Sequence, residues 1–413
     1  MTIVSLTAAH DRLVEVFGAD GVVRAPDAPV LHEESRRWLA EVGVPRQAGS
    51  MRLDPDPPGG LRTVASHFTP GAELPPGVAE MLVIGEVVDP EEQGAVAYDP
   101  DTAQRKVLLD PVSGRVHLVC FFVEENSAGL LELLAPGLSM LVALSSDVEE
   151  LRTERGEFAR FAGRFGPEVV AELTRLMLDR VRSRGPELLR CVRDVSRLWH
   201  IEARIRPLAK IAGPGEGLLL DLPDGFLAGA FGADDVVCFP DEDVPAVLTH
   251  EPTRRFLREQ GLPRDAGWFT ARDEERPLRS LWDHWFADDD ADPDEAPANV
   301  HELVVLGYLI DDIDLVVEGP TGRILGWYGP EATLRVVNTD VSGLAFTTWL
   351  WHQEQALDRD ERLTDSYEEL ATTMTEVLAR VDPAACEPTG AEDDFRYWSE
   401  VFADEGGGGL SAG

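Results

Sequence analysis

Two histidine–glutamate pairs have the residue types closest to a catalytic arrangement. His32 is followed by Glu33 and His250 by Glu251, and an imidazole beside a carboxylate could act as a general base. Each pair, however, comes immediately before a stretch with helical spacing, where an acidic residue favours the first turn. We therefore predict that both pairs begin helices and that neither is catalytic.

Other candidate sites for chemistry fail on spacing. Asp288, Asp290, Asp292 and Asp294 alternate like calcium-loop ligands, but the sixth position is Pro293 and the twelfth is Asn299, where that loop needs glycine and glutamate. The glycine-rich run at 213–217 lacks the spacing of a phosphate-binding loop. The four cysteines stand far apart without a CxxC pair, unlike a zinc site or a disulfide framework. The sequence thus predicts no catalytic residue, no metal, no cofactor and no enzyme.

The charge balance indicates the kind of partner. The 413 residues include 76 Asp and Glu against 37 Lys and Arg, a formal net charge of −39. Such a surface repels phosphate backbones and anionic lipids and attracts basic proteins, which disfavours direct binding to nucleic acid or membranes. No apolar run approaches the length of a membrane helix, and the N-terminus has no signal-peptide pattern. We therefore expect a cytoplasmic protein.

The chain contains an internal duplication. Residues 17–23 recur as 231–237 and residues 32–49 as 250–267, with 17 identities in 25 positions. Further motifs recur in order: MLVIG and LVVLG (81–85, 303–307), GRV and GRI (114–116, 322–324), Asn126-Ser127 and Asn338-Thr339, Trp199 and Trp398. Repeats of this kind indicate tandem domains. We predict copy one at residues 1–212, copy two at 213–405, and a flexible glycine-rich tail at 406–413.

Local patterns predict the same elements in both copies. The block after His32 or His250 has helical spacing and ends at a Gly-x-Pro stop. MLVIG and LVVLG are typical of buried strands, and GRV and GRI of turns that enter a strand. We expect Asn126 and Asn338 to cap the helices LLELL (130–134) and FTTWLW (346–351). Helix, strands and helices, twice over, indicate an α+β fold.

With these motifs the sequence resembles the SUKH superfamily, and within it the fourth subgroup, a group of immunity proteins. The resemblance lies in RRWLAEVGVP (36–45) and RRFLREQGLP (254–263), the two strands, SGRV and TGRI, the asparagine motifs and the late tryptophans. It covers nearly the whole chain, once per copy. It implies two SUKH-like domains, each a central, mostly antiparallel sheet flanked by helices. It also implies a bacterial protein that binds and neutralises a cognate polymorphic toxin, often a nuclease or deaminase.

The two copies differ in charge and in tryptophan content. Residues 1–213 carry 24 cations and 32 acids, a net charge of −8, whereas residues 214–413 carry 13 and 44, a net charge of −31. Copy two also holds seven of the nine tryptophans. Aromatic anchors ringed by charge are typical of steered, tight interfaces. We predict partner binding in copy two by Trp282, Trp285, Asp288, Asp289, Asp290, Asp292, Asp294, Glu295, Asp311, Asp312 and Asp314; the alternative is a solvated acidic loop over core tryptophans.

Two functions of different classes are compatible with the sequence. The first is an immunity protein without enzymatic activity, which covers the active site of a basic toxin with an acidic surface. The alternative is an intracellular SUKH-type adaptor or regulator that binds proteins other than toxins. The two differ in whether the chain protects a cell from a toxin.

Overall fold

The computed structural model of the protein describes residues 6–87, 104–190, 194–272, 277–286, 296–310, 313–358, 367–387 and 396–403. Two units divide the chain. The first comprises residues 1–163, 169–207 and 368–373, and the second comprises residues 164–168, 208–367 and 374–413. The domain limits 1–212 and 213–405 stay a prediction; the two copies are described below one at a time.

Copy one pairs helices with an antiparallel sheet. Its helices are α1 (Leu6–Phe17), α2 (Glu33–Glu41), α3 (Leu138–Thr153), α4 (Pro167–Arg184) and α5 (Leu198–Ile205). Its strands are β1 (Val22–Val23), β2 (Val44–Pro45), β3 (Gln47–Ala48), β4 (Met51–Leu53), β5 (Leu82–Val87), β6 (Gln104–Leu109), β7 (Val116–Phe122), β8 (Ser127–Ala128) and β9 (Glu132–Ala135). The main sheet has the order β3-β4-β5-β6-β7-β8, and β9 also pairs with β7. These strands pair antiparallel.

Copy two repeats this order of elements. Its helices are α6 (Phe226–Phe231), α7 (Glu251–Glu259), α8 (Val341–Asp358), α9 (Tyr367–Val381) and α10 (Tyr397–Ala403). Its strands are β10 (Gly213–Pro214), β11 (Leu220–Asp221), β12 (Val236–Val237), β13 (Leu262–Pro263), β14 (Phe269–Ala271), β15 (Leu303–Leu309), β16 (Ile313–Glu318), β17 (Ile324–Tyr328) and β18 (Thr333–Asn338). The main sheet is antiparallel in the order β14-β15-β16-β17-β18. The predicted α+β fold is therefore confirmed.

Details of register show that the copies share one architecture. The ladder between β1 and β2 aligns Val22 with Pro45, and the ladder between β12 and β13 aligns Val236 with Pro263. A register shift falls between Val83 and Gly85 in β5 and between Val305 and Gly307 in β15. MLVIG and LVVLG thus lie in equivalent strands with the same irregularity, as a duplicated domain requires.

The late tryptophans fix the last helix of each copy in the same way. The indole of Trp199, in α5, donates to the carbonyl oxygen of Leu134 in β9 at 2.7 Å. The indole of Trp398, in α10, donates to the carbonyl oxygen of Val337 in β18 at 3.0 Å. Both side chains are buried, so each indole N–H needs this partner to offset the loss of hydration.

Each sheet is covered on both faces. In copy one, alternate residues such as Val107 and Leu109 join the core formed with the helices, whereas Leu108 joins a second core under the segment 64–81. In copy two, Val316 and Leu325 pack beneath Phe286 and the neighbouring Trp282. The alternation follows from the two-residue period of a strand. The segment around Trp282 therefore covers the sheet face that residues 64–81 cover in copy one.

Neither of the two asparagines predicted to cap a helix does so. LLELL does not form a helix: residues Glu132–Ala135 are strand β9, and Asn126 lies in a turn with a φ of 51°. Asn338 ends β18 before α8, but the side chain that accepts from the first amides of α8, those of Ser342 and Gly343, is that of Asp340. By register, Val116 pairs with Ala135 and the equivalent Ile324 pairs with Asn338. The copy-one equivalent of Asn338 is thus Ala135, and Asn126 matched it only in residue type.

The glycine-rich run between the copies forms a hairpin. Gly213 and Pro214 pair with Asp221 and Leu220. The amide of Leu220 donates to the hydroxyl of Ser342 at the start of α8, at 3.0 Å. The run is therefore anchored at both strands, and its tip, at Glu216 and Gly217, is exposed.

Candidate partner-binding site

The predicted partner-binding residues fall into two groups. Trp282, Trp285 and Asp314 lie in the described part of the chain. Eight acidic residues lie outside the described residues: Asp288, Asp289, Asp290, Asp292, Asp294, Glu295, Asp311 and Asp312. In sequence, this second group follows Trp285 within ten positions or directly precedes strand β16.

Both predicted tryptophans lie in a single π-helical turn, Trp282–Phe286. Trp282 is half-buried: its ring stacks on Phe286 at 5.8 Å and packs against His301 at 4.6 Å between ring centroids. Trp285 points away from this core and is 39% exposed. Trp282 therefore belongs largely to the packing beneath the turn, and Trp285 offers its ring to solvent.

Trp285 is held from two sides. Its indole N–H donates to the carboxylate of Asp314 in β16. Its six-membered ring lies against Gly329, where a Cβ atom would stand 3.3 Å from the ring. Asp314 is only 2% exposed, so it lies beneath the surface that Trp285 forms. A fixed aromatic ring loses little conformational freedom when a partner binds it.

A buried arginine completes the cluster around Asp314. Arg272, 4% exposed, places its guanidinium nitrogens 3.1 and 2.9 Å from the two ring nitrogens of His284. Nε2 of His284 lies 3.6 Å from a carboxylate oxygen of Asp314. Arg272 also donates to the hydroxyl of Tyr308 and stacks over the ring of Tyr308 at 4.4 Å. The imidazole of His284 therefore lies between the buried guanidinium of Arg272 and the buried carboxylate of Asp314.

Tyr308 is a site residue that the sequence reasoning missed. It lies in β15, 41% exposed, and pairs directly with Asp314 across the ladder. A signal was present in the sequence: aligning LVVLGY (303–308) with MLVIGE (81–86) places Tyr308 at the position of Glu86. An aromatic residue where the other copy has a charged one is a candidate contact residue.

The same row of the sheet has different chemistry in copy one. Directly opposed positions across four strands are Arg52, Glu86, Lys106 and Val119 in copy one and Thr270, Tyr308, Asp314 and Trp327 in copy two. Glu86 accepts from Arg52 at 3.0 Å and from Lys106 at 2.6 Å. Burial alone would raise the pKa of Glu86, but these hydrogen bonds lower it. Copy one therefore has an ion-pair row where copy two has an aromatic one.

The repeated histidines are helix caps. His32 precedes α2, and its Nδ1 accepts from the amide of Ser35 at 3.3 Å and lies 2.8 Å from the Ser35 hydroxyl. His250 holds the N-cap position of α7, where its Nδ1 lies 2.8 Å from the hydroxyl of Thr253 and accepts from no backbone amide among the described residues. The backbone amides of both histidines donate to the turns that precede strands β7 and β17, at the carbonyl oxygens of Pro111 and Gly319. The predicted helix starts are confirmed, and Glu33 and Glu251 lie in the first turns.

Strongly shifted acid–base groups lie in cores rather than at this surface. Burial, followed by the nearby Arg204 and Arg197, lowers the pKa of His200 to about 4. Burial, with a contribution from Asp382, raises the pKa of the Cys386 thiol to about 12. Such shifts are typical of packed interiors.

A cleft of about 580 Å³ opens beside the π-helical turn in copy two. Its lining includes Glu242, Val244, Pro245, Leu278, Arg279 and Asp283. Two carboxylates and one guanidinium share it with apolar side chains, so it has no preference for one charge. Within the described ranges, no group of histidine, cysteine and acidic residues could hold a metal ion, and no helix is long and apolar enough to cross a membrane.

Comparison with known proteins identifies the architecture. A family model described as SUKH-4 immunity protein matches residues 8–201 and again residues 222–404. No curated protein and no solved structure matched the chain. The two family matches coincide with the two sets of equivalent strands, helices and tryptophan bonds, and together they span most of the sequence. The chain belongs to the SUKH-4 immunity protein family and contains two tandem copies of its domain.

Proposed function

We propose that the protein is an immunity protein that binds a cognate bacterial polymorphic toxin and neutralises it by covering its active site. The observation that carries this proposal is the double match to an immunity protein family, over residues 8–201 and 222–404. The partner would be a basic protein with nuclease or deaminase activity, and the two proteins would meet in the cytoplasm. The proposal does not include direct contact with nucleic acid or membranes.

The charge of copy two supports a basic partner. Residues 214–413 carry a net charge of −31, and a nuclease holds phosphates with lysine and arginine. Carboxylates on the immunity protein can take the positions that phosphates would occupy. The same field would steer the partner over distances of about a Debye length, 8–10 Å at physiological salt, and raise its association rate.

The contact residues proposed from the sequence take different roles in this interface. Trp285 would insert its exposed ring into the partner, and Asp314 would act only through the indole that it fixes. Trp282 would support the turn from beneath. The acidic residues 288–290, 292, 294, 295, 311 and 312 would supply the charged rim, where side chains mainly affect association rate.

Inhibition would be stoichiometric rather than catalytic. The two histidine–glutamate pairs have the residue types of a base and its partner, but they stand at the starts of helices α2 and α7, and both histidines lie close to a glycine turn of their own copy. Their roles in the fold account for their recurrence. A protein that works by occupancy needs one molecule for each toxin molecule.

The test is protection followed by titration. A cell that expresses the toxin encoded beside the gene of this chain should survive only when the chain is co-expressed. Purified chain should abolish the toxin's activity at a 1:1 ratio, with an endpoint that does not change with incubation time. Survival without the chain's help, or inhibition that increases with time at a sub-stoichiometric ratio, contradicts the proposal. Binding of a host protein without any protection favours the adaptor function instead.

A further inference from the structure

Tyr308 and Trp285 form the exposed aromatic part of the copy-two sheet surface. Their exposed fractions are 41% and 39%, and both rings are tied to neighbours: Tyr308 to Arg272, and Trp285 to Asp314. Tyrosine and tryptophan are the residues that most often dominate binding energy when they lie at the centre of an interface. Two such rings, exposed on one polar network, therefore make this face a candidate for the centre of an interface.

Arg272 determines how Tyr308 is presented. Its guanidinium donates to the phenol oxygen and also lies over the ring at 4.4 Å. The same guanidinium contacts both nitrogens of His284, which neighbours Trp285 with ring centroids 5.8 Å apart. One buried cation thus restrains the surroundings of both exposed rings. Such restraint lowers the entropy cost of binding.

Copy one cannot present the same surface. At the position of Tyr308 it has Glu86, whose carboxylate is engaged by Arg52 and Lys106. At the position of Arg272, two residues after the residue equivalent to Arg52, it has Asp54. The aromatic surface therefore distinguishes the copies, and it lies in the copy that carries the net charge of −31.

We infer that the partner contact is centred on Trp285 and Tyr308, with Arg272 as the residue that positions Tyr308, and that this centre takes a surface of a basic protein bearing arginine or lysine. The occupant follows from charge: residues 214–413 carry a net charge of −31, and eight acidic residues follow Trp285 within ten positions or directly precede β16 in the sequence. Cationic side chains pack favourably on exposed aromatic faces. This inference rests on the proposed function.

The experiment measures binding kinetics of full-length variants against the purified, catalytically inactivated toxin domain encoded beside the gene. Tyr308→Ala and Trp285→Ala should each weaken binding by roughly 10- to 100-fold, mainly through faster dissociation. Tyr308→Phe keeps the ring and should lose roughly threefold or less. The controls Glu86→Ala, at the equivalent copy-one position, and Val112→Ala, which removes an exposed apolar side chain of copy one, should leave binding unchanged.

A double-mutant cycle tests the positioning role of Arg272. Arg272→Gln should weaken binding when Tyr308 is present, yet add little to the loss when combined with Tyr308→Ala, because both changes remove one interaction. Additive losses would show that Arg272 acts on the fold alone and would overturn its assigned role. Photo-crosslinking gives a readout that does not depend on truncation: benzoylphenylalanine at position 308 should capture the toxin domain, and at position 86 it should not.

The outcomes separate this inference from the function on which it rests. If both alanine variants bind the toxin and protect cells as the wild type does, and position 308 gives no crosslink, the aromatic centre is overturned and the immunity function still stands. Failure of the wild type to bind or protect would contradict the proposed function itself. Loss of binding in Glu86→Ala equal to that in Tyr308→Ala would place the contact in both copies and refute the distinction between them.

Discussion

Gly114 and Gly322 offer a matched test of the histidine caps. They precede strands β7 and β17, with φ angles of +75° and +78°. A Cβ atom on Gly114 would lie 2.3 Å from Nδ1 of His32, and one on Gly322 would lie 2.2 Å from Nδ1 of His250. Alanine at either position must therefore displace the histidine that caps α2 or α7.

The expected loss of stability has two parts. An alanine in the left-handed region costs about 1–2 kcal/mol, and loss of a helix cap costs about 0.5–2 kcal/mol. Gly114→Ala should therefore lower the free energy of unfolding by roughly 1.5–4 kcal/mol. Gly322→Ala should lower it by roughly 1.5–3.5 kcal/mol, because there the second part is the hydrogen bond between His250 and the hydroxyl of Thr253. The controls are Gly77→Ala and Gly267→Ala, whose φ angles are +81° and +80° and whose new Cβ atoms would meet nothing within 4 Å. These control variants should lose only the backbone contribution to the free energy of unfolding.

Urea unfolding followed by circular dichroism measures the difference within each pair. A loss in Gly114→Ala that equals the loss in Gly77→Ala would show that His32 moves aside freely, so that its bonds to Ser35 do not hold α2. The same comparison applies to Gly322 and Gly267. A free histidine would also reopen the interpretation of His32 and His250 as reactive groups, since the structural reason for their recurrence would be gone.

Three further predictions concern charge, domains and pH. Stopped flow should show toxin association slowed roughly tenfold at low salt, and less at high salt, when five acidic residues of copy two are replaced by Asn: Asp288, Asp289, Asp290, Asp292 and Asp294. The control replaces five acidic residues of copy one by the corresponding amides: Asp20, Asp56, Glu80, Glu125 and Asp194. Residues 1–212 and 213–405, expressed separately, should each unfold cooperatively, and a half without a cooperative transition would contradict the two-domain prediction. Limited proteolysis should cut the whole chain first near the exposed hairpin tip at Glu216. The folded-state pKa of His200 is about 4, so its neutral form contributes stability above pH 6.5, and about 3 kcal/mol of this is lost as the pH falls to 4. His200→Gln should therefore make the free energy of unfolding less dependent on pH over this range, and an unchanged pH slope would refute the burial argument.

The sequence was sufficient for the parts of the fold that depend on short, ordered motifs. Gly-x-Pro stops predicted the ends of α2 and α7, and the motif order predicted that Trp199 and Trp398 are equivalent, which their matching indole bonds confirm. It was insufficient for LLELL. A short apolar run has the same composition in a buried strand and in a buried helix, and only pairing with β7 makes this one a strand.

The geometry of the site could be predicted only in part, for a physical reason. Residues three apart lie on one side of an α-helix, so Trp282 and Trp285 would be expected to share an environment. The π-helical turn that holds them rotates Trp285 outward, while Trp282 packs on Phe286. The role of Tyr308 depends on Arg272, 36 positions earlier in the chain. No local pattern relates two residues across that distance.

The two copies show how a duplicated domain can keep its fold and change its surface. Features that hold the backbone are the same in both: the histidine against the glycine turn, the tryptophan bond to the edge strand, and the register shift in β5 and β15. The row on the outer sheet face is different, with ion pairs around Glu86 and aromatic side chains around Trp285. The pair of Glu86 with the exposed Arg52 contributes little to stability. Asp314, the buried carboxylate at the position of Lys106, keeps a hydrogen-bond partner in the indole of Trp285. The face could therefore change without loss of the fold, and the concentration of acidic residues in the same copy is what would make its new aromatic surface selective for a basic partner.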